Sequence, residues 1–231
     1  GEKAVYQVGE GNTLELVSEA KRGNDLILEI DINIQTEVEN IIKEEMLKAK
    51  KTANTEFYKE SFALVSDPTT GAVKAIAGIR LITNGKNYSF QDVSINVIKN
   101  AYTVGSAVKG ASMTVGYEQG IIDIGTTMTD SCVKLANIPA KCSFKRLGVV
   151  DDVEALAMSS NYYQFIIALG IMGYNYTYNM KAEATEEDFE LYRDTFAKYG
   201  LGTSTGIDLP GETTGLKGEL VAPDLLMNLA I

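Results

Sequence analysis

Ser106 and Lys109 stand three residues apart, directly after Gly105 and at the head of a small-residue, apolar run, in a chain of 231 residues that contains no histidine. A serine hydroxyl is a weak nucleophile until a base takes its proton, and with imidazole unavailable an amine must substitute. Residues i and i+3 share a helix face, which lets Lys109 meet the hydroxyl. The Ser-x-x-Lys spacing also occurs at Ser18/Lys21 and Ser131/Lys134, so spacing alone does not select a site. Only Ser106 opens a helical pattern whose next residues, Gly110, Ala111, Ser112, Met113 and Val115, are small or apolar enough to be buried. At such a position the helix N-terminus favours developing negative charge, and desolvation lowers the amine pKa toward a useful base. By motif frequency alone, the pair reads as a helix-capping serine beside a solvated lysine.

Ser159-Ser160-Asn161 lies downstream, at or just before the apolar run Tyr162 to Met172. A hydroxyl and an amide facing Lys109 would hold the amine, relay a proton to a leaving group and hydrogen-bond a substrate amide. The simpler role for Ser159 is a helix cap. A second Ser-x-Asn, at Ser94 and Asn96, precedes the nucleophile and so lacks the expected order.

The elements that must position these groups are read from periodicity. Leu26 to Ile30 reads as a strand and 33–52 as an amphipathic helix, with Val38, Ile41, Ile42 and Met46 on one face. Phe62 to Val65 and Val73 to Ala77 flank the turn-rich Asp67 to Gly71 and predict a β-hairpin. Its strands are apolar on both faces in places, which suits a sheet covered by helices on both sides. Beyond Asn84-Gly85-Lys86 the texture becomes helical, over 106–119, 153–172 and 186–199. The last follows a capping box at Thr185 and Asp188 and ends at Gly200. Segments 120–150 and 201–219 read as ordered loops with short strands.

Composition narrows the function classes. Against 31 acidic residues there are 21 basic ones, a formal charge of -10 that repels nucleic acid and anionic lipid, so neither is expected as a partner. The longest uncharged apolar stretch, Phe165 to Tyr174, is too short to cross a bilayer, and the first residues lack a signal-peptide layout. The chain begins at Gly1-Glu2-Lys3 and stops at Ile231 within a helical pattern. It therefore reads as cut from something longer, with room for an anchor upstream. Cys132 and Cys142 cannot make a four-ligand zinc site without histidine. They form a disulfide in an oxidising compartment or remain thiols in a reducing one, and the sequence leaves both open. Gly200-x-Gly202 with Gly206 misses the dinucleotide fingerprint, and no phosphate loop is present, so no cofactor or metal is expected. The acidic group Glu183, Glu186, Glu187, Asp188 and Glu190 sits where it favours a helix dipole.

Gly105-Ser106-Ala107-Val108-Lys109 followed by Ser159-Ser160-Asn161 resembles the active-site set of penicillin-binding proteins and serine β-lactamases. Leu28-Glu29-Ile30-Asp31 with Gln35, the run Asp67 to Val73, and Gly200-Leu201-Gly202 leading to Gly206 through Glu212 resemble the transpeptidase domain of class B penicillin-binding proteins, over residues 26–231. The resemblance implies an α+β fold: an antiparallel β-sheet flanked by helices on both faces, its C-terminal strands missing, with residues 1–25 the remnant of an N-terminal pedestal. It implies peptidoglycan D,D-transpeptidase chemistry. Ser106 attacks the penultimate D-alanine carbonyl of a stem peptide, Lys109 is the base, Ser159 relays the proton and Asn161 contacts substrate and lysine. The Ser106 backbone N–H supplies half of an oxyanion hole. Implied partners are D-Ala-D-Ala stem peptides, β-lactams and cell-wall synthesis proteins, at the outer face of a bacterial membrane. The third motif of the family, Lys-Thr-Gly or Lys-Ser-Gly, is absent from the chain, and truncation accounts for its absence; Val108 stands where an aromatic is common. Two alternatives remain: a serine β-lactamase, and a non-catalytic scaffold with the same fold.

Overall fold

The computed structural model describes residues 1–85 and 87–231. They form two compact units, Gly1–Val97 and Ile98–Ile231.

In the first unit, β1 (Val5–Val8) and β2 (Leu14–Ser18) pair, among the described residues, only with each other. Helix α1 (Ile32–Ala49) starts where Asp31 Oδ1 accepts the Asn33 and Ile34 N–H groups, as an N-cap should. Three antiparallel strands follow in the order β3 (Glu60–Ser66), β4 (Val73–Asn84), β5 (Asn87–Asp92). Ala63 faces Ala77 across β3 and β4, and Leu81 faces Phe90 across β4 and β5. Alternate β4 residues Ala77, Ile79 and Leu81 meet Ile42 and Met46 of α1, so the period of two on the strand matches the helical stripe. The Gln35 amide fixes the helix on the strand, donating to Ile76 O at 3.0 Å and accepting from Ile76 N at 2.9 Å. On the other side of β4, a Cβ at Gly78 would lie 2.7 Å from Val93 O, so only glycine fits there.

Two readings of this unit are corrected. Leu26 to Ile30 is not a strand: among the described residues no neighbouring strand pairs with it, and Leu26, Ile27 and Leu28 are exposed. Apolar character without a ladder partner does not make a strand. The texture beyond Asn84-Gly85 is first β5, a third strand; Lys86, in that boundary, lies outside the described residues. Asn-Gly between apolar segments is the hairpin signal that marks it.

The second unit is mainly helical. After α2 (Asn96–Lys99), which straddles the boundary between the units, a 3₁₀ turn (Gly105–Val108) leads into α3 (Lys109–Glu118). Short ladders join β6 (Met128–Thr129) to β9 (Val149–Val150) and β7 (Cys132–Val133) to β8 (Lys141–Cys142). Then come α4 (Asp152–Ala157), α5 (Asn161–Ile171), α6 (Glu186–Lys198) and α7 (Pro223–Leu229). Val115 of α3 packs with Phe165 and Leu169 of α5, Phe189, Tyr192 and Phe196 of α6, and Leu226 of α7. Gly116 keeps α3 close to α5, since a Cβ there would sit 3.1 Å from Ile167 and Ile122. At the C-terminal end of α3, Tyr117 donates to Asp152 of α4, and Glu118 accepts from Thr195 and Lys198 of α6. The Thr185/Asp188 capping box forms as expected, and the acidic first turn of α6 includes Glu186, which pairs with Arg193.

The predicted helix 153–172 is two helices. Ser160 caps α5 by accepting from Tyr163 N, and Ser159 before it turns left-handed at φ 55, so the chain restarts at the polar Ser159-Ser160-Asn161, with the cap on Ser160 and not on Ser159. The cysteines, left open by the sequence, form a disulfide across the β7/β8 pair. With a sequence separation of 10, closing that loop contributes up to about 3 kcal/mol by the chain-entropy estimate. Reduction, or Cys132→Ser with Cys142→Ser, should therefore lower the melting temperature by several degrees; an unchanged transition under reductant would refute this.

Candidate active site

Two abrupt turns build the site. The first is the 3₁₀ turn that starts at Gly105, whose φ of 56 lies in the region glycine adopts without strain. In 3₁₀ geometry the side chains at i and i+3 eclipse one another, and the Lys109 N–H closes onto Ser106 O. Ser106 is thereby stacked one turn before Lys109 along the helix. Its side chain is exposed and its hydroxyl makes no hydrogen bond among the described residues. Its N–H lies in the first turn, where backbone donors lack an intrahelical acceptor.

The second turn is the break between α4 and α5. A left-handed serine is strained by roughly 1 kcal/mol or more, and such strain persists only where the surroundings hold it. Here they do. Lys109, only 2% exposed, sends its Nζ into this turn and donates to Ser159 O at 2.9 Å, Ser159 Oγ at 3.0 Å and Asn161 Oδ1 at 2.5 Å. The Asn161 amide is oriented from behind, because its Nδ2 donates to Cys142 O at 3.3 Å in β8. The carbonyl oxygen is therefore the atom presented to the lysine.

Three of the four residues singled out in the sequence are joined by hydrogen bonds: Lys109, Ser159 and Asn161. Ser106 is bound to them through the helix backbone rather than by a side-chain contact. The competing motifs behave differently. Lys21 pairs with Glu2 in the open, Lys134 bonds Ile138 O, and Ser94 closes a strand end against Gly78 N and Asp92. None of these lysines is buried like Lys109.

Burial pulls the Lys109 pKa below the ordinary lysine value, and the negative charge of Asp130 partly opposes that. A buried ammonium pays for lost hydration, so the neutral amine gains ground. Three acceptors satisfy an ammonium; a neutral amine needs only two and keeps a lone pair for an incoming proton. The arrangement can therefore hold an amine beside an exposed hydroxyl and exchange a proton with it.

Sequence reasoning missed Asp130 and Ser143. Both fall in the stretch that showed no period, and nothing local marks them; they reach α5 only because the β6/β9 and β7/β8 ladders fold that stretch back. Among the described residues, no group of three or more His, Cys, Asp or Glu is placed to hold a metal ion. In the sequence Ser160 is only the middle of a motif, yet it is the α5 cap and its hydroxyl also donates to Asp130. Ser160→Ala should cost about 1–3 kcal/mol, as a lost cap plus an under-bonded buried carboxylate, measured by chemical denaturation. A change below about 0.5 kcal/mol would contradict that assignment.

Comparison with known proteins gives a consistent answer. Residues 61–228 match the family described as penicillin binding protein transpeptidase domain. The chain is 35% identical over 216 residues to penicillin-binding protein 2A of Bacillus subtilis (strain 168), covering 93% of this chain and 30% of that protein. It is 32% identical over 234 residues to penicillin-binding protein H of the same organism, covering 100% of this chain and 33% of that one. It thus spans about a third of the length of these relatives. Penicillin-binding protein 2B from Streptococcus pneumoniae (strain 5204) superimposes with a TM-score of 0.80 at 29% identity, over 99% of this chain and 39% of that chain. The α+β architecture expected from the sequence is the architecture of that protein, and the chain belongs to the penicillin-binding protein transpeptidase domain family.

Proposed function

We propose that the chain carries the acyl-transfer site of a peptidoglycan D,D-transpeptidase, with Ser106 as nucleophile, Lys109 as base, Ser159 as proton relay and Asn161 as the contact to lysine and substrate amide. The observation that carries this reading is the buried Lys109 amine, hydrogen-bonded to Ser159 and Asn161 one turn beyond an exposed serine. Ser106 Oγ attacks the penultimate D-alanine carbonyl as Lys109 takes its proton. The developing oxyanion meets the Ser106 N–H, a first-turn donor with no helical partner. Ser159 passes the proton taken up by Lys109 to the departing terminal D-alanine. The amine of a second stem peptide then attacks the acyl-enzyme carbonyl and gives its proton to Lys109, and the Ser106 ester bond breaks as Lys109 returns that proton to Ser106 Oγ, leaving the cross-link. A β-lactam enters the same cycle, but its leaving nitrogen stays tethered and the acyl-enzyme persists.

The Cys132–Cys142 disulfide favours an oxidising compartment, which suits work at the outer face of a bacterial membrane alongside other cell-wall synthesis proteins. Residues 26–231 form the transpeptidase part in this reading, and 1–25 the remnant of a pedestal; the β1–β2 pair, which among the described residues joins no other strand, supports that division.

Fluorescent penicillin should label the full-length protein, and Ser106→Ala should abolish the label; labelling that survives removes Ser106 from the role. Lys109→Ala should slow acylation by about 10²–10⁴-fold. Rapid turnover of a chromogenic cephalosporin would instead identify a β-lactamase. The pH profile gives a further test. A protonated Lys109 cannot accept the Ser106 proton, so acylation should fall as pH falls through the Lys109 pKa, with the midpoint below the ordinary lysine value. A profile flat across that range would exclude the amine as base.

A further inference from the structure

We infer that Asp130 is a positioning residue of this site, clamping the start of α5 through two serine hydroxyls so that Asn161 meets the Lys109 amine. Asp130 lies in the connection between β6 and β7 and is 6% exposed. Its Oδ2 accepts from Ser143 Oγ at 2.7 Å and from Ser160 Oγ at 2.7 Å. Both hydroxyl protons are thereby committed to the carboxylate, which turns the hydroxyl lone pairs toward the helix. Ser143 Oγ accepts from Asn161 N at 2.9 Å and from Tyr162 N at 3.2 Å, while Ser160 Oγ accepts from Tyr163 N at 3.1 Å.

Three backbone donors at the head of α5 are thus routed through two hydroxyls to a single carboxylate. Those donors carry the positive end of the helix dipole, and the carboxylate stands two hydrogen bonds away from them. One of the three belongs to Asn161 itself. With its N–H held by Ser143 and its Nδ2 by Cys142 O, the side chain has one direction left for its carbonyl, toward Lys109 Nζ. A loosened clamp leaves Asn161 present but misplaced, and misplacement by about 1 Å is enough to slow a reaction strongly. The carboxylate also acts on the amine through space: Asp130 is the charge that raises the Lys109 pKa, whereas the α4–α5 turn and α5 offer that amine the uncharged Ser159 and Asn161.

The inference rests on the acyl-transfer reading above, and the experiment separates the two. Second-order acylation by fluorescent penicillin is measured against pH for the full-length protein and its Asp130→Ala, Asp130→Asn, Ser143→Ala and Ser106→Ala variants. The Asn161 side-chain amide resonance is followed by NMR in the same set. Asp130→Ala should slow acylation by about 10–100-fold, as losses of supporting residues do elsewhere, and broaden the Asn161 resonance. Ser143→Ala should fall between it and wild type. Asp130→Asn keeps an acceptor for both hydroxyls and should recover most of the rate. Its acid limb should move to lower pH, because the charge that favours the ammonium is gone. Wild-type rate, acid limb and Asn161 resonance in Asp130→Ala overturn the positioning role, provided Ser106→Ala still abolishes labelling. Equal losses in Asp130→Asn and Asp130→Ala, tracking their melting temperatures, overturn it too. If wild type itself does not label, the acyl-transfer reading falls, and the Asn161 resonance still decides the clamp. If Asp130→Ala does not fold, Asp130→Asn and Ser143→Ala decide it.

Discussion

The structure of the second unit is organised around the burial of one lysine amine. A lysine that is 2% exposed loses nearly all its hydration, and an unpaired buried ammonium is among the costliest groups a protein can hold. Lys109 is tolerated because three oxygens from one turn surround its Nζ. That requirement sets the path of the chain nearby. Ser159 must turn left-handed to offer both its carbonyl and its hydroxyl, and α5 must begin at Asn161 for the amide to face the amine.

Support for this arrangement comes from packing rather than from the site itself. Helix α3 lies against α5 and α6 with Val115 fully buried, and Gly116 on its surface lets α5 approach. Polar ties at its C-terminal end, Tyr117 to Asp152 and Glu118 to Thr195 and Lys198, bind it to α4 and α6. The head of α5 is bonded to the Ser143 hydroxyl and, through it, to the Asp130 carboxylate, two residues that flank the disulfide-closed loop on either side. Side chains on helices locked in this way keep their geometry, which groups on free loops would not.

Much of this was legible in order of residues. The α1 stripe, the β3–β4 hairpin around Asp67 to Gly71, the capping box before α6 and the Ser106/Lys109 pair all rest on local rules, namely periodicity, turn chemistry and helix spacing. Where local rules conflicted, the reading failed. Helical texture on both sides of the polar Ser159-Ser160-Asn161 concealed the restart at Ser160, where the backbone reversal at Ser159 separates α4 from α5. Leu26 to Ile30 had the composition of a strand and no ladder to join, while β5, less apolar and fully exposed, became a strand because β4 was long enough to pair it.

The sequence by itself determined which serine and lysine stand one turn apart, that no histidine could serve as base, and which helices and hairpin carry the core. Only the tertiary structure decided that Lys109 is buried, that Ser159 and Asn161 face it, that the cysteines are joined, and that Asp130 and Ser143 hold the start of α5. The physical reason is range: spacing along a helix is a property of neighbours in the chain, whereas desolvation of the amine and the clamp on α5 depend on groups brought together from distant positions by packing.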